Sequence, residues 1–136
     1  MAFTNKIEYL TIGSTGNGTD FGDLSATKGN AAGVSSGTRG VFAGGRNPSV
    51  TNVIEYVTIA STGNGTDFGD LTTGRAYLAG MSNSTTGVYA GGGTPSASNI
   101  MDFITIASTG NAADFGDITV AKRYLGGFSN GHGGLS

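Results

Sequence analysis

"STGNGTDFGDL" occupies residues 14–24, the same eleven letters return at 61–71, and "STGNAADFGDI" stands at 108–118. Working outward from this word, the whole chain superimposes on itself at a period of 47 residues without insertion or deletion. Glu8 aligns with Glu55 and Asp102, Tyr9 with Tyr56 and Phe103, and Phe21 with Phe68 and Phe115. Lys28 aligns with Arg75 and Lys122, and the diglycine Gly44-Gly45 with Gly91-Gly92. Units 5–51 and 52–98 share 28 of 47 positions, and 99–136 forms a shorter third unit. Self-similarity at such a period marks a repeat architecture, in which each unit is one supersecondary element stacked on its neighbours. We treat 1–136 as a single repeat domain.

Composition narrows the class. Glycine supplies 26 of 136 residues and charged residues only 12%. Such a balance can signal disorder, but here the apolar residues gather in β-branched and aromatic clusters at fixed intervals. The net charge of −2 and the lack of a basic stripe exclude a nucleic-acid backbone as partner. With no cysteine there is neither a disulfide nor a thiolate metal site. No apolar run approaches the ~20 residues of a membrane-spanning helix, and "MAFTNKIEYL" lacks the apolar core of a signal peptide. These features predict a chain folded in a cytoplasm, with no membrane partner.

Each unit reads as four short strands: "IEYVTI" (54–59), "DFGDLT" (67–72), "YLAGMS" (77–82) and "GVYAGG" (87–92). Between them stand "GNG", "NST" and "GTPSAS", all turn chemistry. Ile54, Tyr56 and Thr58 lie on one face of the first strand and Glu55, Val57 and Ile59 on the other, so both faces carry apolar groups and the sheet should be covered on both sides. No window of ten residues shows a glycine-free helical period. The prediction is all-β. Four antiparallel strands per unit of this length describe the blade of a β-propeller, with the small-residue segments "AAGVSS" and "LAGMS" innermost. The repeated word is then a hairpin loop and an outer strand. In it Gly16, Gly18, Gly63 and Gly65 are expected to take positive φ, the aspartates to hold turns, and Phe68 to anchor the outer strand in the neighbouring blade.

The chain resembles kelch-type repeats. A strand ending in "AGG" is followed by "N-x-I-E-Y-x-T-I", then an aromatic, then a basic residue that opens the next strand. Gly44-Gly45 and Gly91-Gly92 match the family's diglycine, and Tyr56 and Phe103 its first aromatic. Phe68 and Phe115 stand where the family usually has tryptophan. The wording "STGN(A/G)xDFGDLT" and the terminal "SNGHGGL" are similar to kelch-like proteins of tailed bacteriophages, notably those of marine cyanobacteria. That resemblance covers nearly the whole chain. It implies a propeller in a virion or tail fibre, acting as a structural or attachment part.

Counted in order, residues 6–24 supply two outer strands, two full blades follow, and "YLGGFSNG" and "HGGLS" supply two inner strands. The units are thus circularly permuted relative to about three blades. Known propellers generally close with four or more. An open stack would expose apolar faces and strand edges. The expectation is that copies of the chain complete the ring through composite blades. Six blades in a homodimer are favoured, with a homotrimer of nine, or a piece of a longer propeller, as alternatives.

No residue cluster announces catalysis. "DFG" occurs three times without a phosphate loop. The glycine spacings precede no helix, so no dinucleotide site is implied. Asn17, Asp20, Asp23 and their equivalents offer oxygen ligands but not an EF-hand spacing, and turn roles fit them better. His132, the single histidine, is expected to line the axis or pack on the first blade. Glu8, Glu55 and Asp102, set against Lys28, Arg75 and Lys122, read as inter-strand or inter-blade ion pairs. We therefore expect no enzyme, cofactor or metal. Repeated positions build blades, whereas varied ones are free to carry a site. Among the varied pairs are Asn30 against Tyr77, Arg39 against Thr86, and Arg46 against Gly93. Tyr77 and Tyr124, beside Arg75 and Arg123, are the candidate ligand residues. They suit a shallow glycan-stacking surface, repeated for avidity in a lectin-like alternative. Surface glycans and other virion proteins are the expected partners besides the chain itself.

Overall fold

The computed structural model describes residues 2–93 and 95–132. Ten strands follow one another with no helix among the described residues: β1 (Thr4–Tyr9), β2 (Thr19–Lys28), β3 (Ala32–Ser35), β4 (Arg39–Ala43), β5 (Val53–Thr58), β6 (Thr66–Asp70), β7 (Ala79–Ser82), β8 (Thr86–Ala90), β9 (Ile100–Thr105) and β10 (Ala113–Asp117). They form a β1-β2 hairpin and two four-stranded antiparallel meanders, β3-β4-β5-β6 and β7-β8-β9-β10. The all-β expectation holds, as does the expectation of four-stranded antiparallel sheets.

The hairpin, the first meander and the second meander stack in chain order. Ile7 and Phe21 of the hairpin pack with Val57 of the first meander, flanked by Leu24 and Phe42. The larger core lies between the two meanders. There Val34, Val41, Ile54 and Phe68 meet Leu78, Tyr89, Ile104 and Ile106. Tyr89 is fully buried, and its phenol donates to the Val41 carbonyl across that core at 3.2 Å. Burial pushes the phenol's pKa up, so it stays a donor. Ser82 links the first strands of the two meanders, β3 and β7: its Oγ donates to the Ser35 carbonyl at 3.0 Å and accepts from the Ser35 amide at 3.3 Å.

The word that opened the sequence acts between sheets. In each hairpin of the repeat the phenylalanine of "DFG" is the extra residue of a β-bulge, as the register slips at Phe21, Phe68 and Phe115. Bulges re-aim side chains. Here Phe21 and Phe68 turn into the next sheet, each edge-to-face with the aromatic of its own sheet (Tyr9, Tyr56) at about 6 Å between centroids. The loop of the following unit then lies along the outer strand. Gly63 and Gly65 amides donate to the Phe21 and Asp23 carbonyls at 2.8 Å, and Asn64 Oδ1 accepts from the Asp23 amide at 3.0 Å. Gly110, Ala112 and Asn111 repeat the arrangement on Phe68 and Asp70.

This corrects one expectation. Gly16, Gly18, Gly63 and Gly65 do not take positive φ; Gly22, Gly69 and Gly116 do, at 154°, 146° and 132°. The loop is spent on reaching the neighbour rather than on turning. Glycine is demanded instead where the neighbour arrives: a Cβ on Gly22 or Gly69 would lie 2.1 or 2.3 Å from the carbonyl oxygen of Gly63 or Gly110. The diglycine has a similar cause. Gly44 and Gly91 take φ of 68° and 63°, and a Cβ there would collide with the carbonyl of Arg75 or Lys122.

The third expected inner pair differs. Residues 118–132 hold no strand, because no ladder partner pairs with them among the described residues. Yet Gly126–Ser129 lies against β7 as β7 lies against β3, with Ser129 Oγ accepting from the Ser82 amide at 3.1 Å and donating to the Ser82 carbonyl. All of "HGGLS" beyond His132 lies outside the described residues. His132 itself is exposed rather than packed on the first sheet.

Candidate functional site

Of the four candidate residues, the structure gathers three. Arg75 is fully buried and belongs to the stack: Nη1 donates to Asp102 Oδ2 at 3.1 Å and Nε to the Gly91 carbonyl at 2.8 Å. It has no surface to offer a ligand. The equivalent pair is Lys28 Nζ and Glu55 Oε2 at 2.7 Å. In both pairs the cation comes from one unit and the acid from the next, so the ion pairs run between sheets.

Tyr77, Arg123 and Tyr124 share one face of the molecule. Asn30, Tyr77 and Tyr124 are equivalent residues, and all three sit in the left-handed region with φ near 60°. The Tyr77 amide donates to the Asn30 carbonyl at 2.9 Å, and the Tyr124 amide to the Tyr77 carbonyl at 3.0 Å. A hydrogen-bonded rail thus steps from sheet to sheet. Asparagine tolerates this conformation; for tyrosine it is strained. The strain holds the two rings 4.3 Å apart, tilted by 43°. Tyr77 is half-buried, whereas Tyr124 is 71% exposed.

Arginines border the rings. Arg46 Nη1 donates to the Tyr77 hydroxyl at 3.2 Å and Nη2 to the Pro48 carbonyl at 3.2 Å. Arg123 reaches the Pro95 carbonyl at 2.9 Å, with its guanidinium 5.8 Å from the Tyr124 ring centroid. The hydrogen bond from Arg46, aided by one with Tyr124, lowers the Tyr77 phenol below its usual value. Together Arg46, Tyr77 and Arg123 line an open cleft of about 350 Å³, walled by the loops that carry Pro48 and Pro95. A lining with one phenol ring between two guanidinium groups can stack a flat or sugar-like group and bind hydroxyls or an anion.

Arg46 was visible in the sequence only as a varied position; the signal was its replacement by glycine in the next unit. Arg39, another varied position, works inside the stack: it lies 4.3 Å over the Tyr56 ring and donates to the Ile106 carbonyl at 3.0 Å. The asparagines of the repeated word are likewise engaged, Asn64 and Asn111 by the adjoining sheets, while Asp20 and Asp23 hold Lys6. Among the described residues no three acidic or histidine side chains converge as metal ligands would. Among the described residues no helix is long and apolar enough to cross a membrane. No protein-family model matches the chain, and no curated protein matches it in sequence.

Proposed function

We propose that the chain is a non-enzymatic attachment module: a β-propeller of kelch-like type, about three blades per chain, closed into a ring by further copies and carried on a phage virion. Each four-stranded meander is one blade, and the hairpin is the outer half of another. The observation that carries this reading is where the stack stops. Leu10 and Ile12 protrude at the hairpin end, and Phe115 and Phe128 at the other, the last 95% exposed. Large apolar side chains left exposed at both ends suit an interaction face. Two copies making six blades is the favoured count, three copies making nine the alternative. Light scattering after size exclusion tests it. A particle of about 27 kDa, twice the 13.5 kDa chain, supports the dimer. A monomer at all concentrations would sink the shared ring.

The tyrosine–arginine cleft favours a second role, in which the ring displays a shallow glycan-binding surface. Strain at two aromatic residues is rarely kept where packing alone would serve. On a glycan array the native protein is expected to bind a defined set of sugars, and Tyr77→Ala to lose at least about tenfold in affinity, in line with the ~1.5–3 kcal/mol worth of a large side chain's contact. An array without any bound glycan would leave a scaffold role alone.

A further inference from the structure

We infer that the joint between copies repeats the contacts of the internal joints, with Lys122 of one copy paired to Glu8 of the next. This rests on the reading that copies complete the ring, and it names the contact that does so. Each internal joint has the same parts. The basic residue at or just beyond the end of a sheet's last strand meets the acid on the third strand of the following sheet, as Lys28 meets Glu55 and Arg75 meets Asp102. Continuing the series, Lys122 needs an acid from a following unit, and Glu8 needs a base from a preceding one. Among the described residues neither finds one. Both side chains lie in water and make no ion pair among the described residues, whereas all four internal partners are 4% exposed or less.

Both halves are already posed. The Lys122 amide and carbonyl bond Ser98 and Gly92 as those of Arg75 bond Thr51 and Gly45. Glu8 lies over Gly18 as Glu55 lies over Gly65, with a carboxylate oxygen 3.2 and 3.1 Å from the respective Cβ positions. The chemistry matches too. The longer arginine faces the shorter aspartate, and lysine faces glutamate; Lys122 and Glu8 restore the lysine–glutamate combination. The surrounding contacts extend the same way. Thr119, equivalent to Thr72, would donate to the Glu8 carboxylate as Thr72 donates to Asp102. Asn17 would accept from the Asp117 amide as Asn64 accepts from that of Asp23. Gly116, unlike Gly22 and Gly69, has no neighbouring carbonyl against it, which leaves room for the loop of the next copy. Charge, hydrogen bonding and shape all commit the face to a second copy of this chain.

Native mass spectrometry and light scattering on the native 136-residue chain, Lys122→Glu, Glu8→Lys and the double variant test this. Truncating or reversing one member of a buried interfacial pair weakens association strongly. Each single variant should raise the dissociation constant by about 100-fold or more, and the double variant, which restores opposite charges, should recover native assembly. Both positions are exposed in the single chain, so circular dichroism of the dilute variants should match the native protein. Single variants that assemble like the native chain would overturn the joint while leaving the shared ring standing. Singles that dissociate without rescue in the double variant would overturn the pairing. A native chain that never assembles would overturn the ring and the joint together.

Discussion

Glu55 shows how one side chain comes to depend on its neighbour sheet. Burial disfavours its charge, but the Lys28 ammonium and the Ser25 amide, each 2.7 Å away, outweigh that and hold the carboxyl below its ordinary value of 4.5. A carboxyl lowered on folding binds fewer protons in the native than in the unfolded chain, so stability falls as the medium becomes acidic. Its contribution is therefore complete above about pH 4.5 and is lost as pH drops through the lower native value. Glu55→Gln should cost about 3 kcal/mol at neutral pH, because Lys28 is left buried without a counter-charge. The acid-side decline should also flatten. Denaturant titrations of both proteins between about pH 2 and pH 7 would check the two effects. The exposed Lys6–Asp23 pair, 3.0 Å long, should matter little by comparison.

At the scale of strands and loops, the repeated word sets the spacing between sheets. Gly69→Ala would put a methyl group into the Gly110 carbonyl on a backbone at φ 146°. Strain and overlap together should cost about 3 kcal/mol. Gly116→Ala, with φ 132° but open space around it, should cost only about 1 kcal/mol in the dilute single chain. Thermal unfolding of the two variants below the assembly concentration separates them. The strands themselves were legible: β-branched and aromatic runs such as Val53–Thr58, bounded by turn residues, leave little choice. The role of "STGNG" was not, because glycine permits both a turn and a close approach, and a lone sequence does not say which neighbour arrives. The same gap hid the direction of the ion pairs. Alignment shows that Glu55 and Arg75 recur together, but only the stacking order reveals that each belongs to a different partner. Arg75 was grouped with Tyr77 by closeness in sequence, and the chain turns sharply between them: one side chain enters the core and the other the surface cleft.

For the molecule as a whole, the shared-ring reading makes stability a property of concentration. A chain that buries Phe115, Ile12 and their neighbours only on assembly gains stability by mass action. The melting temperature should therefore rise with protein concentration, and tenfold dilution near the dissociation constant should lower it measurably; scanning calorimetry over a concentration series would show this. A flat series would speak for a self-sufficient single chain.

The unit boundary falls inside the sheet rather than between sheets, since units 5–51 and 52–98 each contribute the last two strands of one sheet and the first two of the next. Growth by duplication is then unusually simple. Inserting one whole repeat adds a sheet but leaves both termini as they were, so no new surface has to be invented for the longer product. On the shared-ring reading, chain length and circumference become separately adjustable, and a lineage could move between few long subunits and many short ones while keeping a single kind of seam.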